Sequence, residues 1–178
     1  MTHLSTNRIQ RNFRIRYDTA GLNVDSWDWT KNENAIIPVD TVFRIRLEFE
    51  ETNGTGGTIG GALQVSYNGG SYADIAGTYV SGSASSQFSD NDVTINLISG
   101  AYNPFTAGYG TTDAVPSNVT INGQQTENEY CLTIVGSGVN NGDTLDFRQS
   151  GIEAYDQTPR ITVSKAAAGT MSYVSWIG

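Results

Sequence analysis

The chain has 178 residues, 20 glycines, one cysteine and a formal net charge of −8. This length suits one domain with a real core, and a single cysteine excludes an intrachain disulfide. The negative charge argues against nucleic acid as a partner, because phosphate binding needs a basic surface. We also expect no membrane partner, because no segment approaches the roughly 20 apolar residues of a spanning helix and the N-terminus lacks the apolar region of a signal peptide.

Alternation of apolar and polar residues predicts short β-strands along most of the chain. NFRIRYD and VFRIRLEFEE each place apolar residues on one face and arginines on the other. Further strands are predicted, in chain order, in ALQVSY, SYADI, DVTINLIS, NVTI, EYCLTIVG, TLDFRQ and PRITVS. Asn68 and Gly69 between two of these predict a hairpin turn. The pattern predicts an all-β fold with a single antiparallel β-sandwich, either immunoglobulin-like or jelly-roll.

We divide the chain into an N-terminal arm over residues 1–11, a sandwich domain over 12–164 and a C-terminal tail over 165–178. The glycine content of segment 51–61 predicts a flexible connection. The long loop 101–118 contains aromatic residues, which are favoured anchors of interfaces. The aromatic tail must be buried in this subunit or in a neighbour, so we expect a homo-oligomer. The candidate partner-binding residues are Arg8, Arg11, Tyr102, Phe105, Tyr109, Tyr173, Trp176 and Ile177.

The charged residues of the predicted strands occupy the face opposite the apolar residues, which favours a solvated surface. They are Arg14, Arg16, Arg44, Arg46, Glu127, Glu129 and Asp146. Asp143 follows Asn141 and Gly142 in a sequence suited to a turn. Trp27 and Trp29 lie two residues apart, and they are either core residues or a platform for sugar rings.

The sequence contains little that resembles an enzyme. The only histidine, His3, precedes the predicted domain, so a nucleophilic triad lacks its base. No Asp-x-Asp-x-Asp-Gly calcium loop is present, and GTGGTIGG leads into a strand rather than the helix of a dinucleotide site. With 18 acidic residues a chance pair of carboxylates is inevitable, so a polysaccharide hydrolase is only a third hypothesis. We expect no catalytic residue, no cofactor and no metal site.

The order of several motifs resembles a known family. FRIRYD, a tryptophan-containing segment, PVDTVFRIRLEFEETNGTGGTIGGALQVSYNGGSYADI, TENEYCLTIVGSGVNNGDTLDFR and PRITVS follow one another. This succession resembles domains in structural proteins of tailed phages and prophages, over most of residues 12–164. The resemblance implies a β-sandwich in a virion, with structural roles for the matching positions, which are Arg44, Arg46, Glu48, Tyr67, Gly69, Gly70, Glu129, Gly142, Asp143, Phe147 and Arg148.

A lone domain of this kind, without enzyme machinery, fits a capsid decoration or cement protein. Its partner would be the major capsid protein or another virion protein, and its location the capsid surface after synthesis in the host cytoplasm. The alternative is a tail or head-fibre module that binds host surface glycans.

Overall fold

Short strands dominate the computed structural model of the chain, which describes residues 7–98 and 104–166. The strands are β1 Arg8–Tyr17, β2 Ala35–Pro38, β3 Val42–Glu51, β4 Gly57–Ile59, β5 Leu63–Tyr67, β6 Ala73–Asp74, β7 Val80–Gly82, β8 Gly110–Thr111, β9 Val119–Ile121, β10 Gln125–Ile134, β11 Thr144–Gln149, β12 Ala154–Tyr155 and β13 Arg160–Ser164. The helical content of these two ranges is one 3-10 turn, Gly136–Gly138. None of the described residues forms a helix long and apolar enough to cross a membrane.

Two main sheets form the body of the protein. The first has the order β12-β1-β3-β10-β7, with β8 also beside β10, and the second has the order β2-β13-β11-β5-β6. A small third sheet pairs β4 with β9. Most neighbouring strands are antiparallel, and the parallel pairs are β1 with β12, β10 with β8 and β13 with β2. The predicted all-β, sandwich-like fold is therefore confirmed.

The core contains the residues that the alternation placed on the apolar face. Successive side chains of a strand point to opposite sides, so every second residue of the long strands enters the core. The buried core residues include Phe13, Ile15, Phe43, Ile45, Leu47, Phe49, Tyr130, Leu132, Leu145, Phe147, Ile161 and Val163. Burial of this apolar area is the main favourable contribution to folding.

Two predicted turns are confirmed. Asn68 and Gly69 have φ angles of 48° and 74°, the left-handed conformation that a tight hairpin turn between β5 and β6 requires. The Asp143 carboxylate accepts hydrogen bonds from the Asn140 amide and the Tyr67 hydroxyl, both at 2.6 Å. These bonds fasten the turn before β11 to the end of β5.

The predicted strand in DVTINLIS is wrong. Val93 makes only an isolated bridge with Tyr109, and the other described residues of the segment, up to Ile98, form no strand. The backbone amide of Ile95 bonds to the Asn23 side chain, and the amide of Leu97 bonds to the Glu127 side chain. Side chains therefore take the backbone donors that a neighbouring strand would have paired.

Three segments that were predicted to be irregular contain strands, and one of them is the long loop 101–118, which includes β8. The glycine-rich connection 51–61 includes β4, whose Ile59 is buried. Strand β1 begins at Arg8, inside the predicted arm of residues 1–11, and Arg8 lies opposite Glu51 in the sheet. Residues 8–11 thus belong to the sandwich, and residues 1–6 lie outside the described residues.

Candidate functional site

Five charged side chains lie together on the face of the first sheet that points away from the core. They come from three adjacent strands, on which residues two apart share a face. They are Arg16 of β1, Arg44 and Arg46 of β3, and Glu127 and Glu129 of β10. Each has at most 1% of its surface exposed. We call these five residues the arginine–glutamate cluster.

The Glu129 carboxylate is the centre of the cluster, because all three arginines reach it. Arg16 donates to it from Nε and Nη2 at distances between 2.8 and 3.0 Å. Arg46 donates from Nε at 2.6 Å, and Nη1 of Arg44 lies 3.0 Å from Oε1. Buried charges are costly unless they are paired and hydrogen-bonded. The shared carboxylate supplies that pairing to each guanidinium.

Glu127 extends the cluster toward the segment that follows Val93. Its Oε2 lies 3.1 Å from Nη1 of Arg46. The amides of Leu97 and Ile98 donate to its Oε1 at 3.0 and 2.8 Å. Burial nevertheless raises the pKa of the Glu127 carboxyl to about 7, because loss of water disfavours its charged form.

Two irregular segments, residues 20–29 and 90–98, cover the cluster. The Leu22 carbonyl accepts hydrogen bonds from Nη2 of both Arg16 and Arg46, each at 2.8 Å. The Ile95 carbonyl accepts a third bond from Arg46 at 3.1 Å. Backbone groups that have no partner strand are thus satisfied by side chains of the sheet. We call these two segments the covering segments.

The sequence identified the correct face for these charges but the wrong environment. The five cluster residues were expected to face solvent, and that expectation is wrong because the covering segments exclude water from them. Asp146 is also buried, with Arg160 at 2.6 Å. Arg14 remains partly exposed, with 25% of its side chain accessible. The sequence did contain one indication of these ion pairs. Two strands carry Arg-x-Arg and a third carries Glu-x-Glu, and these opposite charges can neutralise one another.

An open groove lies at the edge of the first covering segment. It has a volume of about 310 Å³ and is lined by Arg14, Asp25, Trp27, Asp28, Trp29 and Thr30. The Trp27 ring stacks over the Arg16 guanidinium, 4.4 Å from the ring centroid. The Trp29 ring packs on Tyr17 with centroids 5.2 Å apart. We call this feature the tryptophan groove.

Both tryptophans are half-buried, so part of each ring packs on the protein and part stays accessible, and the role as a platform for sugar rings stays a prediction. Trp29 packs against the core cluster, and Trp27 covers the arginine–glutamate cluster. The Trp27 indole N–H donates to Asp25 at 2.7 Å, which holds the ring in the groove. The groove therefore presents fixed aromatic rings beside carboxylates and a guanidinium, a combination that can contact the apolar face and the hydroxyls of a sugar.

The predicted partner-binding arginines are engaged within the chain. The Arg8 guanidinium pairs with Glu153, and Arg11 lies 2.6 Å from both Glu50 and Asp156. These pairs tie β1 to β3 and to the segment around β12. A role of Arg8 and Arg11 in partner binding stays a prediction.

The two described aromatic residues of loop 101–118, Phe105 and Tyr109, lie against the start and middle of β10. Phe105 is half-buried and forms a bridge with Gln125, and Tyr109 is half-buried against the core. Their role in partner binding also stays a prediction. The remaining candidates, which are Tyr102, Tyr173, Trp176 and Ile177, lie outside the described residues.

The described residues contain no group of three or more His, Cys, Asp or Glu side chains placed to hold a metal ion. Cys131 is fully buried, and burial raises the pKa of its thiol to about 12. A thiol in that state is protonated at neutral pH and is a poor nucleophile. The contacts described above show that the arginine–glutamate cluster orders the covering segments, which carry the tryptophan groove.

Replacing Glu129 by glutamine should strongly destabilise the fold, because three buried arginines then lose their shared charge. We expect Glu129→Gln to lower the free energy of unfolding by about 3–5 kcal/mol, measured by urea denaturation. Glu153→Gln is the control, because Glu153 pairs with Arg8 at the surface with 36% of its side chain exposed. That variant should cost at most about 1 kcal/mol. Equal losses would contradict the central role of Glu129.

The stability of the protein should depend on the pH through Glu127. Its pKa is 4.5 ordinarily and about 7 in the fold, so the folded protein binds the proton more tightly than the unfolded chain. The contribution of Glu127 is therefore complete below pH 4.5 and is lost as the pH rises through 7. The free energy of unfolding, measured with urea at each pH, should fall with rising pH more steeply for the wild type than for Glu127→Gln. The difference in slope should be about 1 kcal/mol per pH unit. Parallel curves would refute the assignment.

Comparisons of the chain with protein-family models, with curated proteins and with solved structures found no match. The roles of the arginine–glutamate cluster and the tryptophan groove are therefore inferred from the geometry of their side chains. The likeness in motif order to tailed-phage structural proteins stays a hypothesis.

Proposed function

We propose that the chain is a non-enzymatic structural protein of a tailed-phage virion, a decoration or cement protein that binds the major capsid protein on the outer shell. The observation that carries this proposal is the arginine–glutamate cluster. It contains Arg44, Arg46 and Glu129, three positions of the tailed-phage pattern, in buried ion pairs. Residues that clamp strands and loops together suit a protein whose task is mechanical.

Other positions of the pattern support the same role. Asp143 fastens a turn to Tyr67, and Phe147 is buried in the core. The Arg148 guanidinium contacts two aromatic rings, 4.0 Å from the centroid of Tyr72 and 5.1 Å from that of Tyr155. Such contacts stabilise a fold and leave these side chains little freedom to act on a substrate.

The covering segments offer a surface for the capsid. Val24, Val93 and Ile95 have 50%, 57% and 47% of their surfaces exposed. They are grouped around Asn23, whose side chain bonds to the Val93 carbonyl at 2.9 Å and the Ile95 amide at 3.1 Å. We call these three residues the apolar patch. Exposed apolar residues that lie together are typical of interaction sites.

The apolar patch is a stronger contact candidate than Arg8 and Arg11, which already have acidic partners within the chain. Because the arginine–glutamate cluster holds the covering segments in place, docking of the patch would cost little conformational entropy. Binding only to the assembled shell stabilises that state by mass action, and many copies on one shell add avidity.

Co-sedimentation with capsids tests this proposal. Capsids of the encoding phage, stripped of this protein, should retain the wild-type chain and melt at a higher temperature with it bound. Val93→Asp combined with Ile95→Asp should weaken retention at least tenfold, because a charge would be buried in the contact. Ile36→Asp is the matched control, since Ile36 is 64% exposed on edge strand β2. Absence of wild-type binding would overturn the proposal, and equal loss in the control would overturn the assignment of the patch.

A second candidate function is recognition of a host surface glycan, and the tryptophan groove favours it. Its two half-exposed tryptophans lie beside Asp25, Thr30 and Arg14. Aromatic rings stack on the apolar faces of sugars, and carboxylates accept hydrogen bonds from sugar hydroxyls. This function would place the chain in a fibre or tail module.

An array of bacterial surface polysaccharides tests the second candidate. If the groove binds glycan, the wild-type chain should bind at least one polysaccharide saturably, and Asp25→Ala should reduce that binding at least tenfold. Asp25 has 67% of its side chain exposed, so its removal spares the core. Asp74→Ala is the control, because Asp74 is exposed on β6 in the other sheet. Absence of binding, or equal effects of the two changes, would overturn this candidate.

A further inference from the structure

A cleft of about 370 Å³ opens between the β5–β6 hairpin and β7. Val65 and Val80 line it and are themselves buried, at 7% and 1% exposure. The rings of Tyr67 and Tyr79 stack beside it, with centroids 4.3 Å apart and planes within 4°. Ala76 is exposed at its rim. We call this feature the tyrosine cleft.

The cleft exists because both sheets end at this side of the sandwich. Among the described residues, β6 is the last strand of the second sheet and β7 the last strand of the first. They contain only two and three residues, so neither extends across the opening. Buried apolar side chains such as Val65 and Val80 lose packing contacts on the side that faces the open cleft. The unpaired edges of β6 and β7 can also accept hydrogen bonds from a further strand.

The described chain ends close to this cleft. After β13, the Lys165 amide donates to the Asn141 side chain at 2.9 Å. Asn141 lies in the turn before β11, and Asp143 of the same turn accepts the Tyr67 hydroxyl at 2.6 Å. One turn therefore separates the last described residues from a ring of the cleft.

A second connection runs through the 3-10 turn. The Lys165 ammonium donates to the carbonyls of Gly136 and Val139, at 2.6 and 3.0 Å. Gly138 between them packs directly on Thr78, which lines the cleft: a Cβ at Gly138 would lie 1.9 Å from the Thr78 carbonyl oxygen. Lys165, near the end of the described residues, is thus connected to the wall of the cleft by two separate sets of contacts.

We propose that residues 167–178 of the same chain bind in the tyrosine cleft, with an aromatic side chain of the segment against the tyrosine rings. The segment AAGTMSYVSWIG has no charged residue and includes Tyr173 and Trp176. Its twelve residues can span about 40 Å when extended, which is ample for a site one turn away. A tethered segment also has an effective concentration in the millimolar range, which favours its own cleft over that of another copy.

The aromatic content of the segment matches the cleft. A volume of about 370 Å³ accommodates one or two aromatic side chains, and the lining is mainly apolar. An indole or phenol ring there would cover Val65 and Val80 and continue the stack of Tyr67 and Tyr79. The occupied cleft would close the free edges of β6 and β7. This inference does not rest on the proposed function.

Disulfide trapping in the full chain tests the proposal. Ala76→Cys with Ser175→Cys places one thiol at the rim of the cleft and one beside Trp176. The native Cys131 does not compete, because it is buried and the pKa of its thiol is raised to about 12. Ala107→Cys with Ser175→Cys is the control, because Ala107 is exposed beside the start of β10, whereas the cleft lies beside its end. Oxidised glutathione drives the reaction, and non-reducing electrophoresis follows it.

We expect the Ala76 pair to form an intramolecular disulfide at least tenfold faster than the Ala107 pair. Equal rates for the two pairs, or no intramolecular product from the Ala76 pair, would overturn the proposal. A product that is mainly a disulfide-linked dimer would also overturn binding within one chain, and would indicate exchange of the segment between copies. Thermal unfolding of both reduced variants should match that of the wild type, because Ala76 and Ala107 are exposed.

Discussion

The carboxylate of Glu129, shared by three guanidinium groups, is the interaction on which the rest of the structure depends. Three cations within a buried space repel one another, and each would be costly without a counter-charge. Glu129 lies within 3.0 Å of Arg16, Arg44 and Arg46, so one carboxylate on β10 pairs with arginines of both β3 and β1. The guanidiniums have more donors than this carboxylate can accept, and several of the surplus donors bond to carbonyls of the covering segments.

This arrangement also specifies the register of the first sheet. A shift of one residue along β3 would turn Arg44 and Arg46 into the apolar core and place Ile45 among the charges. Such a shift would bury unpaired charges, and their burial costs far more free energy than an imperfect apolar contact. The arginine–glutamate cluster therefore acts as a specificity device for the pairing of β1, β3 and β10, in addition to any contribution to stability.

The two surfaces that we propose for recognition are built on the same cluster. The apolar patch and the tryptophan groove both belong to the covering segments, which form no regular strands of the sheets and take their order from side chains beneath them. Loops positioned by a rigid scaffold are common sites of binding. In this protein ion pairs of the arginine–glutamate cluster hold the covering segments in place, and these segments expose aromatic and apolar side chains.

In the long strands, the alternation of residues was sufficient to determine which side chains enter the core. Ile45, Leu47 and Tyr130 are buried as their positions in the strands predicted, because a strand has a strict period of two. The turn at Asn68 and Gly69 was likewise predictable from the local sequence, since a tight hairpin requires positive φ at both residues and Asn and Gly adopt it readily.

Only the tertiary structure decided that the opposite face is buried as well. The covering segments have no periodic pattern that marks them as a layer, and the alternation in DVTINLIS pointed to a strand instead. Their path is set by bonds such as those from the amides of Leu97 and Ile98 to Glu127, between residues about thirty positions apart. Local sequence determines which face a side chain takes, whereas burial of a charged face depends on distant segments that supply its counter-charges and carbonyls.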